Sequence, residues 1–476
     1  MSGIPASVLR DIEEELSHPL FFGIPLGPTL NDSLLIEFAW GHGDWRRRAR
    51  WLNRARSARH RRLPRRSREG PVSVPSGRIL TTLLTSTPRL NEIILPVLAE
   101  LDESSYAVLH GDSDGASPVS PGIPQVVWDQ IMTYDLKGWR AEYRRCLPEW
   151  ERRLRDISRR FDLPKGAREL LTLNLVVASQ NVAGCLEFLE RSRPAVIVTE
   201  YDRNALWSCL VLAARRLGIP SVTLTHGVFE RDALGFSPVL ADTILCWGEV
   251  DRSKLLAAHE AAEKIRIVGC PRLSRDLAVT REEGRSRLAL DHEVPVVMYA
   301  TTTAEPHRLE GAELFCAAIE RMSGVAGVVR LHPAEKIEVY APVARRYPHI
   351  RFSVNSEATL DESLAAADIV VACWSGVGSD ALIKRRPLAV LNPDPALRGP
   401  DWDLVERAGC PHARTAGELA TILERILHDE SFREQRANAA ERYVADFCDA
   451  FGNESARRIA DIVKQIADTS IPSTDY

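Results

Sequence analysis

The sequence predicts an α/β protein built from two doubly wound, Rossmann-like domains. Three observations carry this expectation. Apolar runs of strand length alternate with longer stretches of helical character through most of the chain. Many of the strand runs are continuous in Val, Ile and Leu, which fits parallel sheets covered on both faces. The alternation also pauses in the charged stretch RLSRDLAVTREEGRSRLALDHE and then restarts. At 476 residues the chain is longer than one core usually serves, since cores stop growing beyond about 250–300 residues.

In the first half, GRILTTLLTS reads as a strand, PRLNEIILPVLAEL as a helix and SYAVLHG as a second strand. Residues 137–190 read as largely helical. PAVIVTE is a strand, NALWSCLVLAARRLG a helix ending at Gly218, and PSVTLTHG, DTILCWG and IRIVGCP are further strands. In the second half the strands are PVVMYATTT, GVVRLHP, HIRFSV, DIVVACW and PLAVLN, with helices over 308–322, EVYAPVARRY, DESLAAA and GVGSDALIKRR between them. Two or three helices follow to about residue 467. The expected divisions are an extension over 1–75, a first domain over 76–275, a second over 276–450, and a last helix and tail over 451–476 that crosses back.

Composition narrows the function. Charged residues are 26% of the chain and the formal net charge is −4, which argues against a dedicated nucleic-acid binder. The nine cysteines include no CxxC pair and several lie in apolar runs, as expected of reduced core thiols. No basic, then apolar, leader is visible, and no stretch approaches about 18 uninterrupted apolar residues. The expected location is cytoplasmic. Residues 46–69 carry twelve arginines against the single acid Glu69, with Trp45, Trp51 and Leu52 beside them. This segment is either a solvated basic linker or a contact to an anionic membrane surface or acceptor.

Ligands of doubly wound sheets bind beyond the carboxyl ends of the strands. In the second half those ends carry Thr301, Thr302 and Thr303, then His332, then Ser375, Gly376, Gly378, Ser379 and Asp380. Glycines there let a ligand approach the backbone, Ser375 is placed to cap the next helix, and a helix start presents N–H groups to phosphate. Arg330 and His332 share one face of their strand, which Pro333 ends. Imidazole can bind a phosphate oxygen or pass a proton. In the first half the matching positions are Glu200, Asp202 and His226, all candidate bases; either acid is also placed to cap the following helix. Neither a P-loop nor a GxGxxG motif occurs.

The ordered run LTHGVF, DTILCWGE, IRIVGCPRL, VVRLHP and ADIVVACWSGVGSDALIKRRPLAVLN resembles bacterial surface-polysaccharide transferases of the two-Rossmann GT-B fold. These are the polysialyltransferases, the capsule Kdo transferases and the CDP-glycerol glycerophosphotransferases. The resemblance covers roughly residues 190–395. It implies two domains facing across a cleft, with donor on the second and acceptor on the first. His332 and Pro333 match the His-Pro motif that contacts the donor phosphate, and Ser375 and Ser379 match phosphate-binding hydroxyls. His226 with Gly227 matches the His-Gly base, and Asp380 is a candidate for the donor ribose. Two positions depart from the pattern. The adjacent serines of the sialyl branch are here split by Gly-Val-Gly, and the threonine after His-Gly is Val228.

The implied activity is metal-independent transfer of a sugar from a CMP-, CDP- or UDP-linked donor to a cell-surface glycan or lipid-linked glycan. No cofactor beyond that donor is expected. One alternative keeps the fold: a UDP-N-acetylglucosamine 2-epimerase, whose phosphate loop reads Ser-Gly-Gly before paired acids, where SGVGSDA has one acid. The other is a non-catalytic membrane or nucleic-acid adaptor using the arginine segment.

Overall fold

The computed structural model describes residues 6–30, 72–84, 88–112, 117–132, 134–163, 165–229, 233, 235–301, 307–373, 375–394 and 402–470. The arginine segment 46–69, Thr302 and Thr303 lie outside the described residues.

The chain divides into two compact units. One holds residues 1–247, 251–272 and 452–476, and the other holds 248–250 and 273–451. Unit one has seven strands: β1 (Ile79–Leu83), β2 (Tyr106–His110), β3 (Gln125–Val127), β4 (Val196–Thr199), β5 (Ser221–Leu224), β6 (Thr243–Cys246) and β7 (Ile265–Ile267). They form one parallel sheet in the order β3-β2-β1-β4-β5-β6-β7. Unit two has β8 (Val296–Ala300), β9 (Ala326–Arg330), β10 (Arg351–Ser353), β11 (Ile369–Ala372), β12 (Leu388–Leu391) and β13 (His412–Ala413). These are parallel in the order β10-β9-β8-β11-β12-β13. Two doubly wound sheets are therefore present, and the expected α/β class is the observed one.

Strand periodicity explains why the runs are continuously apolar. In β1, Leu80 enters one core with Trp207, Leu210 and Phe188, while Ile79 and Leu83 enter a second core on the other face with Ile93, Ile94 and Val97. Both faces are dry, which is why the strand runs are mostly apolar. The helices are started by local chemistry. Thr280 and Thr359 each accept the N–H three residues on, from Glu283 and Glu362, whose carboxylates accept the threonine N–H in return.

Two features differ from the sequence expectations. Residues 6–30 are not a separate extension. Leu9 and Ile12 of helix Ala6–Glu15, with Leu16 just beyond it, share the first unit's core with Cys146, Trp150 and Leu154. Glu13 on that helix forms a buried pair with Arg203 at 2.6 Å. The short strands β3 and β13 are also additional to the expected set. Helix Gly452–Ser470 belongs to the first unit, where Ile459, Ala460 and Val463 share a core with Ile79 and Val196. Within helix Lys165–Ser192, residues 167–192 are long and apolar enough to cross a bilayer by composition, yet 61% of that window is buried inside the protein. All nine cysteines are buried.

Candidate functional site

In the second unit the chain leaves β8 toward β9 and β10, then returns to β11 on the other side. This reversal is the topological switch point where ligands of such sheets bind. Ala300 of β8 lies level with Arg330 of β9 and with Ala372 of β11. The residues that follow, Thr301, His332 and Ser375, therefore come to one edge.

His332 is exposed there. It opens a tight turn in which the Glu335 N–H donates to the His332 carbonyl at 2.8 Å. Within that turn the Ala334 N–H donates to His332 Nδ1 at 3.1 Å. An accepting Nδ1 carries no proton, so the neutral ring is protonated at Nε2. The His332 N–H donates both to Thr301 Oγ1 at 2.9 Å and to Glu335 Oε2 at 3.1 Å. The Thr301 hydroxyl in turn donates to Glu335 Oε2. Tyr340 donates its hydroxyl to Glu335 Oε1 at 2.7 Å, and Arg308 Nε lies 3.8 Å from the same oxygen. Burial and this bond raise the Tyr340 phenol well above its ordinary range. Glu335, whose side chain is 1% exposed, is the residue sequence reasoning missed. The available signal was an acid three residues beyond a strand-ending histidine.

The other candidates on this sheet divide by exposure. Gly376 is exposed and a Cβ there would meet nothing within 4 Å. Gly376 directly precedes helix Val377–Ile383, and Ser375 Oγ accepts that helix's first N–H, from Val377, at 3.4 Å, as expected of a capping residue. Ser375 and Ser379 are 9% and 6% exposed, and Asp380 is half-buried. Gly378 serves packing instead of ligand approach, because a Cβ would lie 2.5 Å from Leu404 and 3.4 Å from Ala372 and Leu388. Arg330 differs most from expectation. Its guanidinium is buried and donates to the Ala358 carbonyl at 2.7 Å, Ser363 Oγ at 2.9 Å and Asn355 Oδ1 at 2.7 Å. It ties β9 to the segment around helix Leu360–Ala366 instead of reaching a donor. Thr301 is likewise buried, with its hydroxyl engaged by His332 and Glu335.

In the first unit the equivalent reversal lies between β1 and β4. Glu200 follows β4 and is fully buried, accepting from Thr82 and from Trp207 Nε1 at 2.9 Å. Burial pushes its carboxyl up to about 7. Asp202 Oδ2 accepts the N–H groups of Leu240 and Ala241 at 2.7 and 2.8 Å, and burial pushes that carboxyl up to about 6. Neither acid caps the following helix, Trp207–Arg216, whose N-cap is Leu206. Both candidate bases therefore lie beneath the edge. His226 is half-buried at the end of β5, its ring 4.3 Å from Tyr201 and 4.8 Å from Phe236. Among the described residues no group of three His, Cys, Asp or Glu side chains converges as a metal site.

No family model matches the sequence, and no curated protein matches it. Solved structures do. A UDP-GlcNAc 2-epimerase from Methanocaldococcus jannaschii superposes with TM-score 0.52 at 14% identity, over 81% of this chain and 99% of that one. A glycosyltransferase from Rickettsia africae gives 0.51 at 12% identity, over 82% and 98%. The UDP-GlcNAc 2-epimerase of Neisseria meningitidis, solved with UDP-GlcNAc bound, gives 0.50 at 13% identity, over 82% and 100%. At these identities the likeness defines the fold, the pair of Rossmann-like domains called GT-B.

Proposed function

We propose that this protein is a metal-independent glycosyltransferase that moves a sugar from a nucleotide-activated donor to a cell-surface glycan acceptor. The observation that carries the reading is that Thr301, His332 and Ser375 follow three strand ends that lie level, Ala300, Arg330 and Ala372, at the switch point of the second sheet, with His332 exposed. The donor, CMP-, CDP- or UDP-linked, would lie over that edge. His332 Nε2–H would donate to its phosphate, with Ser375 and the exposed Gly376 beside it. A fixed donor aimed at the leaving phosphate stabilises the charge that grows as the glycosidic bond breaks. The base that takes the acceptor proton is assigned to His226, because Glu200 and Asp202 are buried with their oxygens engaged. The fold shared with the Rickettsia africae glycosyltransferase supports this reading. The protein would work in the cytoplasm at the membrane's inner face, with residues 46–69 as the candidate contact to anionic lipid.

The test is a thermal-shift series with CMP, CDP, UDP and GDP. One nucleotide should stand out, since a ligand at about 100 times its Kd adds about 2.7 kcal/mol of stability. No shift with any of them would end the donor reading. The second reading is epimerisation, favoured by the fold shared with UDP-GlcNAc 2-epimerases. Incubation with UDP-GlcNAc and no acceptor decides between them: an epimer would replace the transferase assignment.

A further inference from the structure

We infer that Glu335 is a positioning residue that sets the tautomer of His332, acting with Thr301. The inference rests on the reading of His332 as a donor-phosphate ligand.

A neutral histidine free in water is a mixture of both tautomers with Nε2–H modestly favoured, since water satisfies either nitrogen. Here Nδ1 is engaged as an acceptor by the Ala334 N–H, so the preference for Nε2–H depends on the turn keeping its shape. What keeps the shape comes from elsewhere in the unit. Glu335 Oε2 takes the His332 N–H and the Thr301 hydroxyl together, and Thr301 Oγ1 takes the same N–H from the other side. The three groups form a closed triangle that fastens the first residue of the turn to the end of β8. The fourth residue of the turn closes it by donating its own N–H to His332 O. Tyr340 donates to the other Glu335 oxygen, Oε1, which neither His332 nor Thr301 uses. Removing Glu335 takes away the acceptor shared by His332 and Thr301, leaving the His332 N–H with Thr301 Oγ1 alone and the partly buried Thr301 hydroxyl without that acceptor, which favours a rearranged turn. The result is an imidazole whose proton is no longer held on Nε2.

Selective 15N-histidine labelling and long-range nitrogen–proton correlation read the tautomer directly, with the His332→Ala spectrum assigning the signal. Wild-type His332 should be Nε2–H when neutral. Glu335→Ala should show mixed tautomers, together with a loss of about 10-fold or more in affinity for whichever of CMP, CDP, UDP or GDP stands out in the thermal-shift series. Glu335→Gln should keep the wild-type tautomer, because one amide oxygen can still take the His332 and Thr301 donors while the amide N–H₂ meets the Tyr340 oxygen. Thr301→Val should fall between the two. Tyr340→Phe separates stability from positioning: it should lower Tm and leave the tautomer unchanged. A folded Glu335→Ala protein that retains Nε2–H overturns the proposal, and so does Tyr340→Phe producing the same mixture as Glu335→Ala. If Glu335→Ala does not fold, Thr301→Val decides, and a wild-type tautomer there overturns it. Failure of CMP, CDP, UDP and GDP alike to bind the wild type would instead overturn the donor reading, and the tautomer comparison would still decide the role of Glu335.

Discussion

At the first sheet's switch point the acids are under cover: Glu200 is held by Thr82 and Trp207, and Asp202 by the Leu240 and Ala241 amides. At the second sheet's switch point the buried acid, Glu335, instead braces an exposed histidine. The strand order around the first strand is the same in both sheets. Topology therefore selects where polar residues gather, while side-chain hydrogen bonds decide whether they serve stability or face a ligand.

Substitution can break this contrast, and the largest effect is expected inside the second unit. Arg330→Ala removes three hydrogen bonds from a buried cation's site and should cost about 2–4 kcal/mol in denaturant unfolding. Unchanged stability with lost nucleotide affinity would return Arg330 to the ligand face. Glu200→Gln tests the first unit through pH. The Glu200 carboxyl has an ordinary value of 4.5 and is held near 7 by the fold, so the folded state binds more protons in between. Stability therefore falls as pH rises through that window. The glutamine variant lacks this loss and should gain on the order of 3 kcal/mol over wild type between pH 5 and pH 8. Parallel urea melts at both pH values without such a gain would mean that the first edge is not sealed.

Smaller effects sharpen the second edge. His332→Ala should lower donor turnover by about 100-fold, near 2.7 kcal/mol of barrier, while its Tm stays with the wild type. A change in Tm as large as that in turnover would make His332 structural. The two glycines separate packing from access. Gly378→Ala drives a methyl against Leu404 and should destabilise by about 1–3 kcal/mol. Gly376→Ala meets no neighbour, and its effect on stability should stay within about 0.5 kcal/mol. Equal costs at both positions would contradict the division.

Much of this architecture was legible in the sequence because buried parallel strands read as unbroken apolar runs. β3 and β13 were not, since strands of three and two residues are too short to show a pattern. His332 was legible from Pro333, which has no N–H to continue the ladder. Glu335 was not, because its partner Thr301 lies 34 residues away and only the adjacency of β8 and β9 joins them. Arg330 and Glu200 were misplaced for a related reason. A charged residue at a strand end reads as a ligand contact until the fold supplies it with Asn355 and Ser363, or with Thr82 and Trp207. Helix Ala6–Glu15 was hidden by its neighbours, since the arginine-rich stretch dominates the composition around it.

The helix Gly452–Ser470 gives the protein an order of manufacture. On the ribosome the seven strands of the first unit emerge long before the segment that covers Ile79 and Val196. That face must wait through the synthesis of the whole second unit, at about 5–20 residues per second, with its apolar side chains unburied. The first unit is completed by a segment made after the second. A premature stop after the second unit would thus strike the first unit, leaving a nascent product with an intact second sheet and an unsealed first one, ready for chaperones or proteases.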